Sequence, residues 1–332
     1  MPGRGLETLP RFVFRNYRSR HDGARTAAGV IALSTRHLRG SSSGPEDALS
    51  ALLRSRAASG RPPDGGAFVA LSDVARAAGD PAAPTSSLAD RVLGVGDFAP
   101  RRESGLLADP ASDGLSSLDE GARAASVRAI VRRAAVARER WGAPLVVFRL
   151  GAVDVPSREE REWVARTSRD PHAAATFRAE ARARADRALE IACRSVHEIV
   201  RADEGTTFAV EGPAFGYELG WPEDLARLFS EVKARNLAAW FATGSADLAH
   251  GGGVGPDPPA FLEAAAPRLA GVFLSDSDGS REGLVPGRGR VDFRMISYFL
   301  PRRAHRVLFL APGGTLADVD ESVAFLADRG IA

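Results

Sequence analysis

Cysteine and lysine each occur once in the 332 residues, as Cys193 and Lys233, and methionine only twice. A single cysteine excludes an intrachain disulfide and any metal site built from several thiolates. Cys193 falls in an apolar helical pattern with Leu189, Ile191, Ala192 and Val196, where a buried, inert thiol is expected. Long apolar runs are missing too. No stretch approaches the roughly 18 apolar residues of a membrane span. The opening residues lack the apolar segment of a secretory signal, so a cytoplasmic protein with no membrane partner is expected. Excess charge of one sign is also absent, because the formal net charge is only +2 although 26% of residues are charged. The pI of about 9.1 reflects arginine standing in place of lysine. Basic residues are interleaved with acids, and no aromatic platform alternates with a basic groove, so no nucleic-acid partner is expected.

What is present is ample apolar material, 44% of the chain, enough for one large barrel or two ordinary domains. Short apolar runs alternate with longer amphipathic stretches, the pattern of parallel β/α units. Strands are expected at 29–33, 67–71, 92–95, 145–148, 208–210, 238–241, 271–274 and 307–310. These runs show no polar alternation, as expected of strands covered on both faces. Helices are expected at 46–59, 118–141, 223–235 and 318–329, with loops at 79–87, 100–114 and 251–259. Eight strand runs suit an α/β fold closed as a (β/α)8 barrel better than an open sheet. Residues 1–25 read as an extension and residues 26–332 as a single barrel domain. A homo-oligomer is compatible with this composition.

The carboxyl-terminal third carries a more particular pattern. After the seventh run come Asp276, Asp278 and Gly279, then a Gly-x-Gly turn at Gly287 and Gly289, then Asp292 ahead of a helix. Glu211 directly follows the fifth run, Trp240 to Leu248 take in the end of the sixth and the segment after it, and Trp141 to Gly151 surround the fourth. In this order and spacing the chain resembles the xylose isomerase-like (sugar phosphate isomerase/epimerase) barrels over roughly residues 29–330. The resemblance implies a TIM barrel and a divalent cation held at its carboxyl-terminal mouth by Glu, Asp, His and Glu. Only Glu211 matches that set. Ala242 and Ser245 stand at the strand-six aspartate and histidine, Phe273 at the strand-seven histidine, and Gly283 at a further histidine. Phe309 or Leu310 stands at the strand-eight glutamate, Leu71 or Ser72 at an acid after strand two, and Arg149 at a strand-four histidine. A hard cation takes about six oxygen ligands and zinc about four donors. One carboxylate among alanine, phenylalanine and leucine supplies neither, so no metal cofactor is expected. The endonuclease branch of these barrels depends on histidine-rich clusters that are absent here.

Arg149 and Glu211 end adjacent strands, which lie about 4.8 Å apart, so the two side chains can meet. One reading is a guanidinium replacing the cation and binding an anionic or hydroxyl-rich ligand beside the carboxylate. The other is an ion pair closing a mouth that has lost its chemistry. Other candidate contacts to a small sugar-like ligand are Asp276, Trp240, His37, Ser72 and Asp97. His250, Ser34, Thr35, Asp73 and the turn at 312–315 are weaker ones. The segment Asp276 to Gly279 lacks the later ligands of a calcium loop and reads as an Asp-Gly turn. Two functions follow. One is a divergent sugar isomerase/epimerase-like barrel without metal chemistry, either binding a small polar ligand or serving as a pseudoenzyme. The other is an active isomerase or epimerase of a sugar or polyol derivative, with Glu211 as base and Arg149 as charge stabiliser.

Overall fold

The computed structural model describes the backbones of three early strands together with residues 114–142, 144–153, 170–311 and 315–331. The early strands are β1 (Ile31–Ser34), β2 (Ala67–Ala70) and β3 (Val92–Gly96). They continue into β4 (Leu145–Phe148), β5 (Thr207–Glu211), β6 (Leu237–Ala242) and β7 (Leu269–Leu274). A small antiparallel hairpin, β8 (Asp276–Ser277) and β9 (Glu282–Leu284), separates β7 from the last barrel strand, β10 (His305–Leu308). Eight strands pair in parallel around a closed barrel, β1 to β7 in chain order and β10 between β7 and β1. The expected (β/α)8 architecture is therefore present. Each apolar run supplies one barrel strand, although the last begins two residues earlier than expected, at His305.

Alternation along each strand is hidden in the sequence because both faces are apolar. Leu145, Val147, Ala209, Ala238, Trp240, Ala242, Phe273, Val307 and Phe309 fill the barrel interior. Their neighbours Val146, Phe148, Phe208, Val210, Phe241, Val272 and Leu274 join the layer between strands and helices. Trp240 is fully buried. Its ring occupies space that a side chain at residue 271 would need, since a Cβ on Gly271 would lie 2.4 Å from it. That position tolerates only glycine without displacing the indole.

The helices pack outside. α1 (Glu120–Trp141) starts at Asp119, which accepts from the Ala122 amide at 2.8 Å, and stops at Gly142 with φ 62. α2 (Pro171–Ala183) leads into α3 (Ala185–Ala202), whose Leu189, Ala192, Val196 and Ile199 form one buried stripe. α4 (Pro222–Glu231), α5 (Thr243–Gly251) and α6 (Pro258–Ala265) follow. The loop expected at 251–259 is shorter than its composition implied, because Gly251 closes α5 and the two prolines open α6. α7 (Phe293–Phe299) is capped by Asp292 as expected, and α8 (Leu316–Asp328) ends the described chain. The expected extension 1–25, helix 46–59, loop 79–87 and most of loop 100–114 lie outside the described residues.

Candidate functional site

The β4–β5 register aligns Phe148 with Val210, which sets Arg149 beside Glu211 one residue further on. Arg149 Nη2 lies 3.2 Å from Glu211 Oε1, and Nη1 lies 3.2 Å from Glu218 Oε1. The expected Arg149–Glu211 contact is thus present, joined by a second carboxylate that the sequence did not single out. All three side chains are largely enclosed, at 14% exposure for Arg149, 4% for Glu211 and 1% for Glu218.

Glu218 reaches the arginine because the chain after β5 folds back on the chain after β4. The Val153 amide donates to the Tyr217 carbonyl at 2.8 Å, and the Leu219 amide to the Gly151 carbonyl at 3.0 Å. Glu218 Oε2 in turn accepts from the amides of Ala214 and Phe215. The carboxylate therefore shapes its own loop while holding the guanidinium. Its sequence signal is an acid isolated among apolar and aromatic residues between Gly216 and Gly220.

On β6, β7 and just past β10 the described residues that face the barrel interior are apolar. Ala242 ends β6 beside Phe273 in the β6–β7 register. The Phe273 ring stacks on Phe309 at 5.5 Å and tilts against Trp240 at 4.9 Å. Trp240, expected to line the pocket, instead lies wholly inside the barrel packing, where its size fills the space left by Gly271.

Asp276, expected as a ligand contact, is buried and takes up four backbone amides. Oδ1 accepts from Ser277 and Val291 at 2.9 and 3.0 Å, and Oδ2 from Gly287 and Gly289 at 2.8 and 3.0 Å. A Cβ on Gly289 would lie 2.4 Å from this carboxylate, so the Gly-x-Gly turn and Asp276 form one structural unit. Asp276 is thus employed in the turn, and no contact joins it to Arg149. Asp278 makes the expected Asp-Gly turn, with Gly279 at φ 85. The Ser280 hydroxyl and the Ser280 and Arg281 amides hold its carboxyl far below the usual range.

The Ser245 hydroxyl on α5 donates to Glu282 on β9 of the hairpin, a pairing the sequence did not suggest. His250 sits half-exposed near the end of α5, 4.0 Å from Asp257. His37, Ser72 and Asp97 lie outside the described residues.

Among the described residues, the side chains at the strand ends do not make up a donor set for the divalent cation implied by the resemblance. One Glu211 oxygen is engaged by the positively charged Arg149 guanidinium. Ala242, Phe273 and Phe309 offer no donor atoms, and Asp276 is taken up by amides. Among the described residues no three His, Cys, Asp or Glu side chains converge. Among them, too, no helix is long and apolar enough to cross a membrane.

This barrel with a mouth at its strand ends has the fold of the xylose isomerase-like sugar epimerases. A D-tagatose 3-epimerase-like protein shares it at TM-score 0.57 and 16% identity, over 90% of this chain and 96% of that one. D-allulose 3-epimerase from Methylomonas sp. matches at TM-score 0.58 and 13% identity, over 90% and 97%. The 3-keto-D-glucoside 4-epimerase of E. coli matches at TM-score 0.55 and 14% identity, over 90% and 98%. No protein-family model and no curated protein sequence match the chain. At these identities the likeness establishes the fold, and the activity rests on the site.

Proposed function

We propose that the barrel mouth binds a small polar or anionic sugar-like ligand through Arg149, Glu211 and Glu218, and has lost metal-dependent isomerisation. The observation that carries this reading is the single guanidinium bridging two buried carboxylates at 3.2 Å each. Such a cluster offers fixed donors and acceptors to hydroxyl groups, and the arginine fork suits a carboxylate or phosphate. The wall of Ala242, Phe273 and Phe309 supplies apolar surface and no proton-transfer group. The fold shared with sugar epimerases supports a ligand of that size and chemistry. A cytoplasmic setting goes with this reading, supported by the single unpaired buried thiol.

A second reading rests on the adjacency of Arg149 and Glu211. An active isomerase or epimerase would use Glu211 to remove a proton next to a carbonyl while Arg149 stabilises the enediolate. The test is to incubate chelator-treated protein with D-allulose and D-tagatose, measuring binding by ligand-observed NMR and epimer formation by chromatography. Binding without turnover, weakened about tenfold in Glu211→Gln, is the expected result. Turnover that survives chelation but is lost in Glu211→Gln would establish the second reading. One tightly held divalent ion per chain, with turnover abolished by the chelator, would overturn both.

A further inference from the structure

The opposite end of the barrel carries a feature that the mouth does not explain. A cavity of about 460 Å³ opens at the amino-terminal ends of β4, β5, β6, β7 and β10. Its charged lining consists of Arg235, Arg268, Arg303 and His305, with no carboxylate among the described lining residues. Thr207 adds a hydroxyl, and Leu145, Leu237 and Leu269 give apolar walls.

Arg235 and Arg303 are exposed and Arg268 is half-buried, and their partners differ from those of three more enclosed arginines. Arg123, Arg149 and Arg182 each face a carboxylate. Arg268 and Arg303 are held instead by backbone carbonyls. Arg268 Nη1 donates to Ala234 at 2.8 Å and Leu237 at 3.3 Å while its guanidinium lies 5.1 Å from the Phe229 ring centre. Arg303 Nη2 donates to Pro267 at 2.9 Å. Carbonyls orient a guanidinium without cancelling its charge, so both keep full charge and spare donors. None of Arg235, Arg268 and Arg303 forms an ion pair with a described carboxylate. His305 is exposed where it lines the cavity, and desolvation first, then Arg306, push its pKa below the usual imidazole value.

Three like charges gathered in one concavity repel one another in the absence of a partner, and two are fixed in place. The volume falls within the range of small-molecule sites and exceeds what a bare inorganic ion needs. We infer that the barrel floor is a second binding site, separate from the mouth, for a small organic phosphate whose anionic group is gripped by Arg235, Arg268 and Arg303. Its uncharged body would lie along the leucine walls, with Thr207 and His305 as polar contacts.

The test uses phenyl phosphate as probe in calorimetric titrations of the full chain, with phenol and inorganic phosphate as comparison ligands. Phenyl phosphate is expected to saturate one site per chain and phenol to give no heat. Inorganic phosphate should bind more weakly than phenyl phosphate, because it does not reach the leucine walls. Arg235→Ala/Arg303→Ala should weaken phenyl phosphate binding by at least about tenfold, and Arg303→Lys should retain most of it. A folded Arg303→Lys protein keeps the test decisive if the double variant fails to fold. Absence of saturable heat at millimolar probe, or equal affinity in the double variant, would overturn the inference. Binding lost in Glu211→Gln but kept in the double variant would place the probe at the mouth and overturn it as well.

Discussion

At the ends of β4 and β5 the mouth carries Arg149 and Glu211, with Glu218 folding in beside them, whereas β6, β7 and β10 bring Ala242, Phe273 and Phe309. The polar half holds its groups by mutual charge: one guanidinium is shared by two carboxylates, and one of these also ties down two amides. The aromatic half is held by ring packing and has no polar side chain at those positions. A cation cage needs donors arriving from several directions, and here one half supplies a positive charge and the other supplies none. The two described sides of the mouth are therefore held together by different forces. Ring packing fills one side, and on the other an arginine is shared between two carboxylates.

The comparison can be broken from either half. The largest expected effect belongs to Arg149→Ala, which takes the shared cation from two buried carboxylates. Its destabilisation should be about 3–5 kcal/mol by urea denaturation. A triple variant that also carries Glu211→Gln and Glu218→Gln should recover a substantial part. No recovery would mean that the cluster stabilises by packing rather than by charge. On the aromatic side, Phe273→Ala opens a cavity between Trp240 and Phe309 and should cost about 3–4 kcal/mol. A cost under about 1 kcal/mol would show that this half is loosely packed and could admit a ligand.

The smallest effect is expected away from both halves, at Cys193 on α3. Burial first, and then the charge of Glu231, push its thiol up to about 12. The native protein should therefore resist thiol reagents at pH 8 and react fully in urea. The unfolded chain ionises this thiol at lower pH than the native state does. Folding stability is thus lost as pH rises from the ordinary thiol range toward 12. Cys193→Ala should flatten that alkaline decline, as followed by urea midpoints across pH.

Much of the architecture could be read from residues alone, because parallel strands covered on both faces appear as short apolar runs. The last strand shows where that signal fades. His305 and Arg306 pair in the ladder at the barrel floor but are polar, while Phe309 and Leu310 are buried beyond the last paired residue. Arg149 beside Glu211 was legible because strand ends in a known order place neighbours together. Glu218 was not, since its position depends on a loop folding back through backbone hydrogen bonds that leave no periodic trace. Asp276 misled for a related reason. A carboxylate in a glycine-rich turn can serve a ligand or the turn's own amides, and composition does not distinguish them. The floor arginines were legible only in retrospect. Arg235, Arg268 and Arg303 lie far apart in the chain, yet each stands within two residues of the start of a barrel strand.

The indole seated over Gly271 has one further consequence. It couples residue 271 to the ring packing of the barrel interior, because the same indole tilts against Phe273, which stacks on Phe309. Gly271→Ala, by pushing that ring aside, would carry its disturbance through Phe273 to Phe309 at the apolar side of the mouth.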